Sequence, residues 1–113
     1  MSYYESVFGG GMTRPDYTVS KISTLFVANN NANKTATVQD DGYVYIEMQG
    51  AWTPCRVTIN DATVAVAQVT ASNMFCSTST MVPVSKGDVI KSQLNGDALN
   101  QVTVKFIPQK PAI

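Results

Sequence analysis

Few residues in this sequence are suited to acid–base or nucleophilic catalysis. Histidine, which most often supplies a proton-transfer group near neutral pH, does not occur in the 113 residues. Cys55 has Arg56 beside it, but adjacent residues of a strand point to opposite faces, and Cys76 lies among serines and threonines. We therefore expect two reduced structural thiols in strands, rather than a nucleophile, a disulfide or part of a zinc site.

The carboxylates suggest two further kinds of chemistry. Glu47 and an aspartate could form the acid pair of a glycoside hydrolase, and Asp40 with Asp41 could contribute to a calcium loop. The aspartates available to Glu47 all lie in turn contexts: Asp40, Asp41, Asp61, Asp88 and Asp97. Aspartate favours turns because its side chain bonds the local backbone, and a bare pair lacks the spaced ligands of a calcium loop. The sequence thus predicts no catalytic residue, no metal site and no cofactor.

Aromatic residues are the remaining candidates for a binding site. Trp52, between Gly50 and Pro54, is either a stacking platform for a ligand such as a sugar or a cap on one end of the core. Tyr43 and Tyr45 share one face of a strand, where they could line a subunit interface; otherwise they enter the core and their neighbours face outward.

The N-terminal segment is predicted to be an arm. Glycines at positions 9–11 give the backbone maximal freedom, and Pro15 restricts Arg14 to extended conformations. We place an arm at residues 1–17 and one folded domain at residues 18–113. The arm carries an apolar and aromatic group that could anchor it to another protein, although a frayed terminus is the alternative. This group consists of Tyr3, Tyr4, Val7 and Phe8.

The rest of the chain reads as short strands separated by turns. Eight segments rich in β-branched and apolar residues are candidates: 19–27, 34–38, 43–48, 55–59, 62–69, 74–84, 89–94 and 101–107. Their spacing, with turn residues such as Asn60-Asp61 between them and no helical period, predicts an antiparallel all-β sandwich of about eight strands. Pro108 and Pro111 lack backbone donors and are expected to end the last strand.

Composition restricts the function classes. Eight basic and eight acidic residues are scattered without runs of one sign, so the sequence has no basic patch for nucleic acid or anionic lipid. The first residues lack the pattern of a signal peptide, and no stretch has the roughly 20 apolar residues of a membrane span. We expect a chain made in the cytoplasm and not inserted into a membrane. Its charged fraction of 14% is low, which favours assembly with other subunits.

Three motifs together carry a family resemblance. They are DGYVYI at residues 41–46, VTIND at 57–61 and MVPVSKGDVI at 81–90. In this order they resemble the small jelly-roll heads of the tumour-necrosis-factor and complement types and the knob domains of phage fibres. The resemblance covers roughly residues 37–108 and implies a jelly roll that forms a trimer.

These features lead to one functional expectation and one alternative. We expect a non-enzymatic structural protein of a bacteriophage virion: the homotrimeric knob of a head or tail fibre, or a capsid-decorating subunit. In this role it would bind other virion proteins through the arm, and host glycans or receptors through its exposed loops. The alternative is a carbohydrate- or receptor-binding module outside a virion, which would use Trp52 as its ligand contact.

Overall fold

The computed structural model describes residues 12–29, 33–51, 54–69, 74–94 and 100–112. Within these ranges the chain is almost entirely extended, and a single 3₁₀ turn at Val19–Lys21 interrupts it. The strands are β1 (Thr13–Pro15), β2 (Ser23–Asn29), β3 (Thr35–Thr37), β4 (Gly42–Gly50), β5 (Cys55–Ile59), β6 (Ala62–Ala67), β7 (Cys76–Val84), β8 (Val89–Gln93) and β9 (Gln101–Pro111). All eight predicted strand segments are therefore confirmed, with shifted ends.

The strands form two antiparallel sheets. In the first sheet, β9 is central: it pairs with β4 on one side and with both β1 and β2 on the other, and β7 pairs with the far edge of β4. The second sheet has the order β3-β8-β5-β6. Successive strands alternate between the sheets over much of the chain, which is the connectivity of a jelly roll. The predicted all-β sandwich is confirmed.

The core lies between the two sheets and follows from the alternation of residues along each strand. In β4, Val44, Ile46 and Met48 are buried, whereas the residues between them are half-buried or exposed. Val102 and Val104 of β9 extend the same layer, and the second sheet contributes residues such as Val57 and Ile90. Buried polar groups are bonded: Asn100 Oδ1 accepts the Ala51 N–H at 2.9 Å.

Turns at one end of the sandwich have the predicted chemistry. Asn60 and Asp61 have φ values of 51° and 69°, the left-handed pair that a two-residue hairpin turn requires. The Asn60 side chain accepts the Val89 N–H at 2.9 Å and donates to Asp88 at 3.0 Å, which joins this hairpin to the turn before β8. In that turn the Ser85 N–H donates to the Asp88 carboxylate at 2.8 Å. The predicted turns around these residues are confirmed.

Two predictions near the chain ends are changed by the structure. Pro108 does not end the last strand: its carbonyl accepts the Asp16 N–H at 2.7 Å, and β9 continues to Pro111 against β1. Proline lacks a donor but keeps its acceptor, so it can lie in a strand where only the acceptor is used. Within the predicted arm, residues 13–15 form β1, and residues 1–11 lie outside the described part of the chain.

Candidate functional site

The outward-facing side of the first sheet, which we call the outer face, is the most distinctive surface of the described chain. Its residues alternate with the core residues along β2, β4, β7 and β9. They are Thr24, Val27, Asn29, Tyr43, Tyr45, Glu47, Gln49, Ser77, Ser79, Met81, Pro83, Gln101, Thr103, Lys105 and Ile107. Among these residues Glu47 and Lys105 carry the charges, so the face is charge-poor and electrically neutral.

One end of the outer face is apolar and aromatic. Tyr43 and Tyr45 are half-buried here, because Val44, Ile46 and Met48 take the core side of β4. The sequence allowed these tyrosines to face either outward or into the core, and in the structure they face outward. Met81 pairs with Tyr45 across β4 and β7 and is 37% exposed. We call this the apolar end.

The segment before β2 extends the apolar end. Tyr17 is 55% exposed, and its hydroxyl donates to the Met81 sulfur at 4.0 Å, while the Thr13 and Tyr43 hydroxyls are 3.2 Å apart. Val19 is exposed nearby and borders a depression of about 410 Å³ whose other lining residues are Ile22, Thr24, Tyr45, Lys105 and Ile107. Tyr17, Val19 and Met81 are not predictable from the sequence as part of this surface, because no local pattern connects them to β4.

The opposite end of the outer face is polar. A shallow groove of about 390 Å³ runs over β7, β4 and β9. It is lined by Tyr45, Glu47, Met48, Gln49, Ser77, Thr78, Ser79, Gln101 and Thr103. Apart from Glu47, the side chains that face this groove are uncharged; most donate or accept hydrogen bonds, and Tyr45 adds apolar area. We call this the polar end.

Glu47 and Lys105 form an ion pair at the boundary between the two ends. Lys105 Nζ lies 3.6 Å from Glu47 Oε1, and both side chains are roughly half exposed. The pair is diagonal across the sheet, because Lys105 lies directly opposite Tyr45, and Glu47 opposite Thr103. Glu47 lines the polar groove and Lys105 the apolar depression, so the pair marks where the character of the face changes.

Asp16 holds the segment that carries Tyr17 and Val19. Its carboxylate is buried, with 6% of the residue exposed, and accepts from the Thr18 hydroxyl at 2.6 Å and the Thr18 N–H at 3.1 Å. Lys21 Nζ is 3.2 Å away. The hydrogen bonds from Thr18, followed by that from Lys21, lower the pKa of Asp16 to about 2. The ionised side chain therefore fixes this segment beside the apolar end.

The two cysteines are free thiols and do not resemble a nucleophilic site. Cys55 is fully buried, and burial raises its pKa to about 11, with a smaller contribution from Cys76. A thiol with that pKa is almost entirely protonated at neutral pH and is a poor nucleophile. Cys76 is half-buried and its thiol donates to the Gln68 carbonyl at 3.7 Å.

Two of the aspartates considered as catalytic or metal-binding partners, Asp41 and Asp88, accept hydrogen bonds within turns. Asp41 accepts the Lys86 N–H at 2.9 Å, and hydrogen bonds from Ser85 and Asn60 lower the pKa of Asp88. Asp61 lies 3.5 Å from Lys91 on the second sheet. Within the described ranges, no three histidine, cysteine or acidic side chains come together as metal ligands would.

Several predicted contacts lie outside the described residues. They are the ligand contact Trp52, the arm residues Tyr3, Tyr4, Val7 and Phe8, and Asp97. Their roles stay predictions. In the described part of the chain, helical segments fall short of the length and hydrophobicity that a membrane-spanning helix requires.

Comparison with known proteins supports the jelly roll and nothing finer. No protein-family model and no curated protein matches the sequence. The fold is similar to the crystal structure of pika GITRL, with a TM-score of 0.53 and 13% identity over 80% of this chain and 98% of that chain. It is also similar to the crystal structure of rabbit GITRL, with a TM-score of 0.50 and 13% identity over 67% of this chain and 73% of that chain.

These neighbours have the tumour-necrosis-factor type of jelly roll, so they confirm the fold that the sequence motifs implied. At this low identity the likeness shows the fold alone. The virion role stays a prediction.

Proposed function

We propose that this protein is a non-enzymatic binding module that assembles into a homotrimer through the outer face of its first sheet. The observation that carries the proposal is the composition of that face. Its charged residues are one mutually neutralising pair, and its apolar end presents Tyr17, Tyr43, Tyr45 and Met81. Interface cores are depleted in charge and enriched in tyrosine and methionine, and this face has the same character.

The second sheet makes a useful contrast. Its outward residues include Arg56 and Lys91, which are both basic and belong to neighbouring strands. Lys91 is paired with Asp61, so covering that face would bury this ion pair together with Arg56 and leave a net positive charge, which is unfavourable. A second copy of the chain therefore binds more favourably to the outer face of the first sheet. A closed cyclic assembly is the simplest arrangement in which the outer face of every copy is buried. Three copies is the number that the resemblance to trimeric heads favours.

The proposed biological setting is a phage particle, as the knob of a head or tail fibre or as a capsid-decorating subunit. The support is the resemblance of residues 37–108 to fibre knobs and the apolar group at Tyr3–Phe8. Met12 lies beside Ala112, whose N–H donates to the Met12 carbonyl at 3.1 Å, at the end of the β1–β9 ladder. The arm therefore joins the domain at this end of β9, where it would be available to bind other virion proteins.

The test is the solution mass of the full chain, measured by light scattering over a range of concentrations. We expect a trimer for the wild type and a monomer for Met81→Asp, because Met81 lies on the outer face opposite Tyr45 and a buried carboxylate without a partner weakens association by at least roughly a hundredfold. Val66→Asp is the matched control: Val66 is exposed on β6 of the second sheet, and this variant should stay trimeric. A monomeric wild type at all concentrations contradicts the proposal.

The polar groove supports a second candidate function, which is glycan or receptor binding outside a virion. Uncharged hydrogen-bonding side chains beside an aromatic ring suit the hydroxyls and the apolar face of a sugar. Glycan-array binding of the wild type would support it. Loss of binding in Trp52→Ala at unchanged melting temperature would identify Trp52 as a contact, whereas loss of stability would support its role as a cap.

A further inference from the structure

The Glu47–Lys105 ion pair occupies a particular position on the outer face. Along β4, the outward residues change from Tyr43 and Tyr45 to Glu47 and Gln49, and the facing residues of β9 change in the same direction from Ile107 to Gln101. The face is thus graded along the strands from apolar to polar. The ion pair lies at the boundary between the apolar end and the polar end: Lys105 borders the apolar depression, and Glu47 lines the polar groove.

Covering this face would remove water from both charges. A lysine or glutamate that loses its hydration without gaining a partner is strongly destabilised, whereas a close pair compensates much of this cost. The 3.6 Å contact provides that compensation within one protomer. The carboxylate can accept further hydrogen bonds. Ser79 and Thr103 lie directly opposite Glu47 on the neighbouring strands, whereas at the apolar end the Tyr17 hydroxyl already donates to Met81 and the Tyr43 hydroxyl lies 3.2 Å from that of Thr13.

We propose that the Glu47–Lys105 pair determines the register in which copies of this chain associate. This inference rests on the self-association proposed above. In a cyclic assembly equivalent residues lie at the same height along the axis, so the pairs of all copies form one layer between an apolar and a polar layer. A slip by two residues, about 7 Å along a strand, sets the pair against the apolar end of its neighbour, where aromatic and aliphatic side chains replace most of its polar surroundings.

Charge reversal tests this inference directly. Glu47→Lys and Lys105→Glu each place two like charges at the position of the pair, and each should weaken trimer formation by at least roughly a hundredfold. The double variant E47K/K105E restores an opposite-charge pair at the same place and should recover association to within about tenfold of the wild type. Light scattering and analytical ultracentrifugation measure the dissociation constants of the wild type and of the three variants.

A matched control separates an effect on the face from a general effect of charge. Lys91 and Asp61 form an exposed pair at 3.5 Å on the second sheet, so Lys91→Glu makes the same change in net charge as Lys105→Glu and should leave the trimer intact. Circular dichroism and thermal melting show whether each variant is folded. If a reversal unfolds the chain, the isosteric variants Glu47→Gln and Lys105→Met give the same comparison, since each leaves one charge unpaired.

The outcomes distinguish the two proposals. A wild-type trimer whose single variants dissociate and whose double variant reassembles supports the role of the pair. A wild-type trimer that single reversals leave unchanged overturns this role and leaves the proposed assembly standing. A monomeric wild type overturns both.

Discussion

Gly50 of β4 and Ala67 of β6 touch backbone to backbone, although their strands belong to different sheets. A Cβ atom on Gly50 would overlap the Ala67 carbonyl group and lie 2.6 Å from the Ala67 Cβ. Atoms cannot approach this closely, so the two sheets meet at this point only because residue 50 has no side chain. The contact closes one side of the sandwich next to the strands that carry both cysteines.

Gly50→Ala is therefore expected to destabilise the fold by about 3 kcal/mol, because backbone atoms must move to admit the methyl group. Denaturant unfolding measures the loss. Gly87→Ala is the comparison: its φ of 94° strains an alanine by about 1–2 kcal/mol, but the added Cβ meets no atom within 4 Å. Equal losses in the two variants would show that the close contact with Ala67 is not the cause.

Asp16 should make stability depend on pH in the acid range. Its pKa is lowered to about 2 in the folded protein, so the stabilisation is fully present above the ordinary aspartate value of 3.8 and is lost as pH falls toward 2. Melting temperatures of the wild type should drop over this interval. Asp16→Asn should have a lower melting temperature at pH 6 and a smaller drop from pH 4 to 2; parallel curves for the two proteins would contradict this assignment.

Asn60 is expected to act through both its backbone conformation and its amide group. Asn60→Gly keeps the left-handed turn but removes the hydrogen bonds to Asp88 and Val89, which should cost about 1–2 kcal/mol of unfolding free energy. Asn60→Ala adds the strain of a positive φ and should cost about 1 kcal/mol more. The two variants are compared by urea denaturation, and an alanine variant as stable as the glycine variant would argue against the strain.

The two thiols should differ in reactivity. In the native protein a maleimide or iodoacetamide reagent should modify Cys76, which is half-buried, far faster than Cys55, which is fully buried and has a pKa raised to about 11. In denaturant both should react at similar rates. Mass spectrometry of peptides taken during the reaction identifies the modified residue, and rapid native labelling of Cys55 would show that the sandwich opens at that strand.

Much of the fold is predictable from the sequence because strands and turns are indicated by patterns of neighbouring residues. Alternation of apolar residues and turn signals such as Asn60-Asp61 identify eight of the nine described strands without knowledge of their partners. β1 is different, since Thr13–Pro15 is short, contains proline and becomes a strand only through pairing with Gln109–Pro111 at the far end of the sequence. The turn at Val19–Lys21 was likewise included in a strand, because its residues are compatible with both conformations.

The candidate site is predictable in part for the same reason. The pattern of residues 43–48 shows that one strand has two apolar or aromatic faces, and the core then decides which face is outward. The pairing of Glu47 with Lys105 and of Tyr17 with Met81 depends on strand order and register. These are set by contacts between distant parts of the chain, so no local pattern reveals them.

The central position of β9 in the first sheet has a consequence for the synthesis of the protein. β1 and β2 pair with β9, and β4 lies between β9 and β7, so the strand that joins most of this sheet follows all of its partners along the chain. Earlier strands can form local hairpins such as β5–β6, but the outer face does not exist until residues 101–111 are available. Synthesis must therefore proceed through residue 111 before the complete outer face can form.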